Sequence, residues 1–279
     1  MRLTVLVDNN TFIDQYYIGE PAVSYYIEAD GKKILFDVGY SDAFLINAQK
    51  MNIDLRDVDF IVLSHGHLDH TWGLQHLVKV LTDENVNKKY AKKPILITNP
   101  ETFTSRKNKK NREIGPNMTA NSLSNYFEMR LSAAPIFITE NLVYLGEIPR
   151  VTAFEADKPL GDIVTDQGEK PDFLMDDSAL VYRLVSGLII ITGCSHSGIC
   201  NIVEYAKKVI NDNRILDIIG GLHLLNPSKS QLSGTLNYMK ILKPNIMHAC
   251  HCTDLRSKIA LASVVKLGEV GCGMVLDYL

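Results

Sequence analysis

The sequence predicts an α/β protein in which two β-sheets pack face to face and carry helices on their outer faces. Two observations lead there. Each half of the chain opens with strands paired as hairpins and closes with alternating strand and helix patterns, although no internal repeat links the halves. With 279 residues, 46% of them hydrophobic, and no low-complexity stretch, the chain can bury a large core as one big domain or two fused halves.

The elements follow in order. Arg2–Val7 alternates and reads as a strand, 22–29 as a second, and Asp30-Gly31 turns the chain into a third, whose apolar residues 34–36 end at Asp37 and Gly39. The opening is therefore antiparallel. Ser41 and Asp42 can cap a helix reaching Met51, 59–63 returns as a strand, 74–81 is helical and 94–98 is a further strand. From 99 to 172 the pattern weakens. The run Arg106-Lys107-Asn108-Lys109-Lys110-Asn111-Arg112 reads as a solvated loop in preference to a phosphate site, and the whole stretch as an insertion or lid on a single domain spanning 1–279. Within it, 136–138 and 142–145 suggest a hairpin around Glu140-Asn141, and 151–154 another strand. Regular order resumes with a hairpin of 179–184 and 188–192 across Ser186-Gly187. A helix over Ile199–Ile210 has apolar residues at 199, 202, 203, 206, 209 and 210, which share one face. Strands at 215–219, 245–249 and 274–276 then alternate with helices at 230–242 and 254–267.

Composition excludes several classes. With 29 basic against 32 acidic residues, a net charge of -3 offers no global attraction to nucleic acid or to an anionic membrane. The N-terminus lacks a charged region followed by a long apolar one, and no apolar run approaches spanning length, so a cytoplasmic protein is expected. The cysteines, Cys194, Cys200, Cys250, Cys252 and Cys272, are odd in number and confined to the C-terminal third; reduced thiols are expected.

The chemistry is concentrated in residues 61–73, IVLSHGHLDHTWG, where three histidines and an aspartate follow an apolar strand. His65 and His67 on a strand-to-helix loop can converge on one cation, while Asp69 and His70 project towards a second. Gly66 lets the loop turn tightly. Imidazole nitrogens with a carboxylate suit zinc, and also manganese, iron or nickel, and a loop at a strand end leaves coordination positions for water. Asp69 alone could merely cap a helix, but a cap needs no histidines. Further ligands must come from other strand ends. His196, after the strand at 188–192, is the expected third ligand beside His65 and His67, and His251, at the turn after 245–249, the partner of Asp69 and His70. His223 ends a third strand and is expected to contact substrate or transfer a proton. His248 reads as a buried strand residue and His76 as structural. Asp37 is expected to order the metal histidines, Trp72 to pack beside them, and Cys250 and Cys252 to be small buried hydrophobes.

These motifs, HGHLDH after an apolar strand and later histidines at successive strand ends, resemble the metallo-β-lactamase superfamily. The resemblance implies an αββα sandwich of two mixed β-sheets with helices on the outer faces and a cleft for one or two metals. It implies that His65, His67 and a later histidine hold one ion, and Asp69, His70 and a last histidine the other. The family commonly places a bridging aspartate where this chain has Gly193-Cys194. Cys194 in that place, His196 taking over, or Asp176 or Asp177 reaching in are the alternatives. Gly146-Glu147-Ile148-Pro149-Arg150, GCSHSGI from Gly193, GGLHL from Gly220 and His251-Cys252-Thr253 are similar to the branch that includes the dihydropterin and ribofuranosylaminobenzene phosphate synthase of methanopterin synthesis.

The expected activity is metal-dependent hydrolysis of a small molecule at a site holding two divalent ions, zinc first, with Asp69 orienting the attacking water and His223 protonating the leaving atom or binding an oxyanion. The alternative enzyme is a synthase joining a pterin to a phosphorylated ribosylaminobenzene, with Arg150 or the basic run on phosphate and Tyr126, Phe127 or Phe154 stacked on the pterin. A third class is a metal-holding binding or sensor protein without turnover.

Overall fold

The computed structural model describes residues 1–86 and 93–279. Its first half contains β1 (Arg2–Val7), β2 (Ser24–Ala29), β3 (Lys32–Phe36), α1 (Ala43–Lys50), β4 (Phe60–Val62), α2 (Leu68–Thr71), α3 (Leu74–Val86) and β5 (Ile95–Thr98). Then come β6 (Arg106–Asn108), α4 (Ala120–Leu123), β7 (Glu128–Leu131), β8 (Ile136–Phe137), β9 (Leu142–Tyr144), β10 (Gly161–Thr165) and β11 (Gly168–Asp172). The last part holds β12 (Ala179–Leu184), β13 (Gly187–Thr192), α5 (Ile199–Ile210), β14 (Ile215–Gly221), α6 (Lys229–Leu242), β15 (Ile246–Cys250), α7 (Leu255–Ala262) and β16 (Val275–Asp277).

Two large mixed sheets result, ordered β16-β1-β2-β3-β4-β5-β7 and β15-β14-β13-β12-β9-β8. The hairpins pair antiparallel, as expected, and β3-β4-β5 and β13-β14-β15 continue parallel. Apolar side chains on alternate positions divide between three layers of core. Ile34 and Phe36 of β3 meet Ile189 and Ile191 of β13 between the sheets, whereas Leu35 faces Phe44 of α1 and Leu77 of α3. Ile190 and Ile218 lie under Ile202 of α5, Met239 of α6 and Leu261 of α7. The arrangement is the αββα sandwich. Helices cover both sheets, so the central strands are buried on both faces and read as nearly unbroken apolar runs. For the same reason the polar-out alternation expected of β1 is not found: Thr4 is buried along with Leu3, Val5 and Leu6.

Three expectations are corrected. Residues 151–154 form no strand: Val151 N and Thr152 N both donate to Asn201 Oδ1 at 2.9 Å and so are lost to a ladder. The last helix stops at Ala262 rather than 267; the chain then turns back along β15, with Met247 N donating to Lys266 O at 2.9 Å and Gly268 N to Met247 O at 2.8 Å. The basic run is not a uniformly solvated loop, since Arg106 is completely buried in β6. Of the stretch 99–172, β6, β10 and β11 make a separate three-stranded sheet, while β7 edges the first large sheet and β8 and β9 belong to the second. Among the described residues, no helix is long and apolar enough to cross a membrane.

Candidate metal centre

Parallel strands deliver their C-terminal ends to one edge of the sandwich, and the loops leaving them carry the polar cluster. After β4, residues 64–67 turn into α2, with His67 as its N-cap and Asp69 and His70 in its single turn. Gly66 is required there: a Cβ would lie 2.1 Å from Thr102 O and 2.0 Å from Arg106 Nη1. After β13, Gly193 passes so close to Ser64 that a Cβ would meet Ser64 Oγ at 2.2 Å, and Cys194 and His196 follow. His223 and His251 come just beyond β14 and β15, both with left-handed backbone (φ 50° and 49°).

The donor atoms converge. Cys194 Sγ lies 3.1 Å from His70 Nε2 and 3.2 Å from His251 Nε2, and Asp69 Oδ2 lies 3.6 Å and 3.4 Å from the same two nitrogens. Zinc–nitrogen and zinc–sulfur bonds of 2.0–2.3 Å at tetrahedral angles put neighbouring donors about 3.4 Å apart, so this set has the spacing of ligands around one cation. Cys194 also belongs to a second group with His65 and His196, whose donor atoms all lie within 4.8 Å of one another. His67 Nδ1 is 3.1 Å from His65 Nε2. Among the described residues, His67 Nε2, both ring nitrogens of His196 and Nδ1 of His223 are buried without a hydrogen-bond partner, a costly state that a bound cation or substrate would relieve.

Charge is arranged to match. Burial first, then repulsion from neighbouring imidazoles, holds His65 and His196 well below the ordinary histidine range, and burial pushes His67 down to about 3. These rings are neutral, as metal ligands must be. At His70 burial opposes the charge, but Asp69 and Asp37 outweigh it and push the imidazole up to about 9. Asp69 is desolvated too, yet His70 and His251 hold its carboxyl below the usual range. Burial and the neighbouring Cys252 push the Cys194 thiol up. At Cys252 burial is overcome by Cys194, His251 and His223, which pull that thiol down.

A second ring of groups fixes the donors. Asp37, fully buried at φ 54°, accepts from Ser64 N and Ser64 Oγ and pairs with His70 Nδ1, all at 2.7 Å. Ser64 Oγ is also 2.9 Å from His65 Nδ1. Asp8 Oδ1 accepts from His251 N at 3.0 Å, and Asn9 Oδ1 is 3.3 Å from His251 Nδ1. Asp8 and Asn9 escaped sequence reasoning; the polar Asp8-Asn9-Asn10 following a strand was the available signal.

The structure thus brings His65, His67, Asp69, His70, His196 and His251 together, with His223 beside them, its ring centroid 4.3 Å from that of His196. Of the alternatives for the missing aspartate, Cys194 is the residue common to both donor groups, and among the described residues neither group includes Asp176 or Asp177. Asp176 Oδ2 accepts from Gly66 N at 2.8 Å and Asp177 Oδ2 from Ser197 N at 2.8 Å. A cleft of about 480 Å³ opens over the cluster, lined by Asn9, Ile114, Leu160, Leu225 and Cys252 as well as the histidines. Cys252 is therefore at the site and not merely a buried strand residue, whereas Cys250 is fully buried against Tyr25. Ser195 Oγ is spent on Gly221 O at 2.6 Å. His248 pairs with Asp217 at 2.8 Å in the strand interior, and His76 lies on α3 beside Gln75. Trp72 stacks on Tyr40 and donates to Gly115 O at 2.8 Å, pinning the stretch after β6 near the cleft. The stacking expectation is corrected: Phe127 is buried under the first sheet with Tyr126 packed against the same core, and Phe154 packs under the helices of the second. Arg150 donates to the carbonyls of Phe173 and Leu174.

Comparison with known proteins is consistent with this geometry. Residues 17–210 match the family model described as the metallo-beta-lactamase superfamily. An uncharacterized protein of Methanocaldococcus jannaschii is 30% identical over 272 residues, covering 96% of this chain and 98% of that one. From the same organism, the 7,8-dihydropterin-6-methyl-4-(beta-D-ribofuranosyl)-aminobenzene-5'-phosphate synthase is 27% identical over 269 residues, 92% of this chain and 89% of that one. A crystal structure described as a metal-dependent hydrolase of the beta-lactamase superfamily superposes with a TM-score of 0.83 at 26% identity, covering 100% of this chain and 99% of that one.

Proposed function

This chain belongs to the metallo-beta-lactamase superfamily, and from that premise we propose that it is a metal-dependent hydrolase of a small molecule, with two divalent ions, zinc by preference, in the cleft. The observation that carries the proposal is the pair of donor groups sharing Cys194 Sγ. His65, His67 and His196 would hold one ion and Asp69, His70 and His251 the other, with Cys194 between them. Divalent ions in such a site acidify water and polarise the bond to be cleaved. Asp69, on the cleft wall, would orient the attacking water, and His223 would give a proton to the leaving atom. The cleft volume falls within the range of small-molecule sites. Its thiols suit a reducing compartment such as the cytoplasm.

The test is elemental analysis of the purified protein, followed by turnover of phosphodiesters, lactones and thioesters before and after chelation. Activity should vanish with chelator, return with metal, and be lost in His67→Ala. Unchanged turnover in stripped protein refutes the hydrolase. The 27% identity to the synthase over most of both chains favours a second reading, coupling of a pterin to a phosphorylated partner. Quenching of pterin fluorescence with formation of a joined product, and no hydrolysis, would establish that reading instead.

A further inference from the structure

Arg106 is among the largest completely buried side chains of the protein, and the hydrolytic proposal leaves it without a task. Its guanidinium lies against the loop that carries His65 and His67. Nη2 is 2.7 Å from Asp176 Oδ1, and the other oxygen of that carboxylate accepts from Gly66 N, the amide between the two histidines, at 2.8 Å. Nε pairs with Asp172 Oδ2 at 2.8 Å, and Nη1 donates to Thr102 O at 3.3 Å. The approach to Gly66 is so close that a Cβ there would lie 2.0 Å from Nη1.

We propose that Arg106 and Asp176 are positioning residues for the metal centre, a buried clamp by which the β6 region fixes the backbone between His65 and His67. The inference rests on the metal-holding reading of the cluster. Three features separate a clamp from a plain structural ion pair. A buried pair adds little stability over apolar packing, so its return is geometric definition. The guanidinium of Arg106 pairs with two carboxylates at once through different nitrogens, which the single ammonium of a lysine does not reproduce. The carboxylate it orients is bonded to the ligand loop itself, and ligand loops tolerate only about 0.5 Å of error.

The test uses the full chain with Arg106→Lys, Asp176→Asn and, as a control at a buried pair with no contact to the loop, Asp217→Asn, which disturbs the contact with His248. Zinc affinity is measured by competition with a chromophoric chelator, geometry by the visible spectrum of the cobalt-loaded protein, and stability by melting of the metal-free protein. Arg106→Lys and Asp176→Asn should each weaken zinc roughly 10–100-fold and alter the cobalt spectrum. Asp217→Asn should lower the melting temperature while keeping the zinc constant within about threefold. Wild-type zinc affinity and cobalt spectrum in Arg106→Lys and Asp176→Asn, even with lowered melting temperatures, overturn the clamp. Should Arg106→Lys not fold, Asp176→Asn decides in the same way. A wild-type protein that binds neither metal overturns the underlying metal reading as well.

Discussion

Asp37→Asn should uncouple metal binding from folding. A carboxylate only accepts, so its contact with His70 Nδ1 keeps the proton on that nitrogen and makes Nε2, 3.1 Å from Cys194 Sγ, the one whose proton a cation displaces. Asparagine has one oxygen where three donors now converge at 2.7 Å. If its oxygen stays on Ser64 N, its NH₂ faces His70 Nδ1. The imidazole then avoids a donor–donor clash only by moving its proton to Nε2, where it blocks coordination. The alternative placement leaves Ser64 N without an acceptor in the interior. Either way a hydrogen bond to a charged group is lost, about 1.5–3 kcal/mol, and if that cost falls on the metal-bound state it corresponds to roughly a 10–100-fold weaker zinc constant. Competition with a chelator reads the constant and cobalt absorption reads the geometry. A zinc constant and spectrum equal to wild type would refute the argument that Asp37 sets the His70 tautomer.

In the metal-free protein the native pKa of His70, about 9, lies above its ordinary 6.5, so the stability it contributes is present in full below pH 6.5 and lost as pH rises through 9. Thermal melts of metal-stripped protein should therefore lose on the order of 3 kcal/mol across that window, and His70→Gln should abolish the loss; a flat profile in the wild type would contradict the Asp37–His70–Asp69 charge relation. Ile191, wholly buried between the sheets, should cost about 2–5 kcal/mol on truncation to alanine while the zinc constant stays unchanged, and a denaturant titration showing less than 1 kcal/mol would mean that the two sheets do not share the packed layer described.

How far the sequence was legible depended on the kind of physics involved. Spacing and periodicity carried the helix over Ile199–Ile210 and the hairpin of β12 and β13, because one buried face or one tight turn leaves a local pattern. They also carried the clustered histidines, since a loop at a parallel strand end has few other uses for them. Long-range pairing left no such trace. Arg106 sits among lysines and asparagines, and nothing nearby in sequence marks that its partners are Asp172 and Asp176, some 70 residues on, so it reads as one more solvated cation. The strand expected at 151–154 failed for a related reason: its backbone donors belong to Asn201, on a helix fifty residues away.

Backbone strain was equally hidden, and part of it lies where the donor atoms meet. Asp37, Ser195, His223 and His251 all hold left-handed backbone, at φ 54°, 61°, 50° and 49°. None is glycine, although aspartate and histidine visit this region more readily than serine does. Each follows the end of a strand in the two sheets, where an extended continuation would carry the side chain out along the sheet axis. The left-handed turn instead swings Asp37 under His70, ties Ser195 Oγ to Gly221 O, and brings His223 and His251 over the cleft. Such residues cost of order 1–3 kcal/mol each and persist only where their surroundings over-determine them. Here those surroundings are the hydrogen bonds from Ser64 and His251 N to Asp37 and Asp8, together with the packed strands beneath. The stability of the sandwich thus sustains a strained rim, and the rim is what turns four strand ends into one donor set.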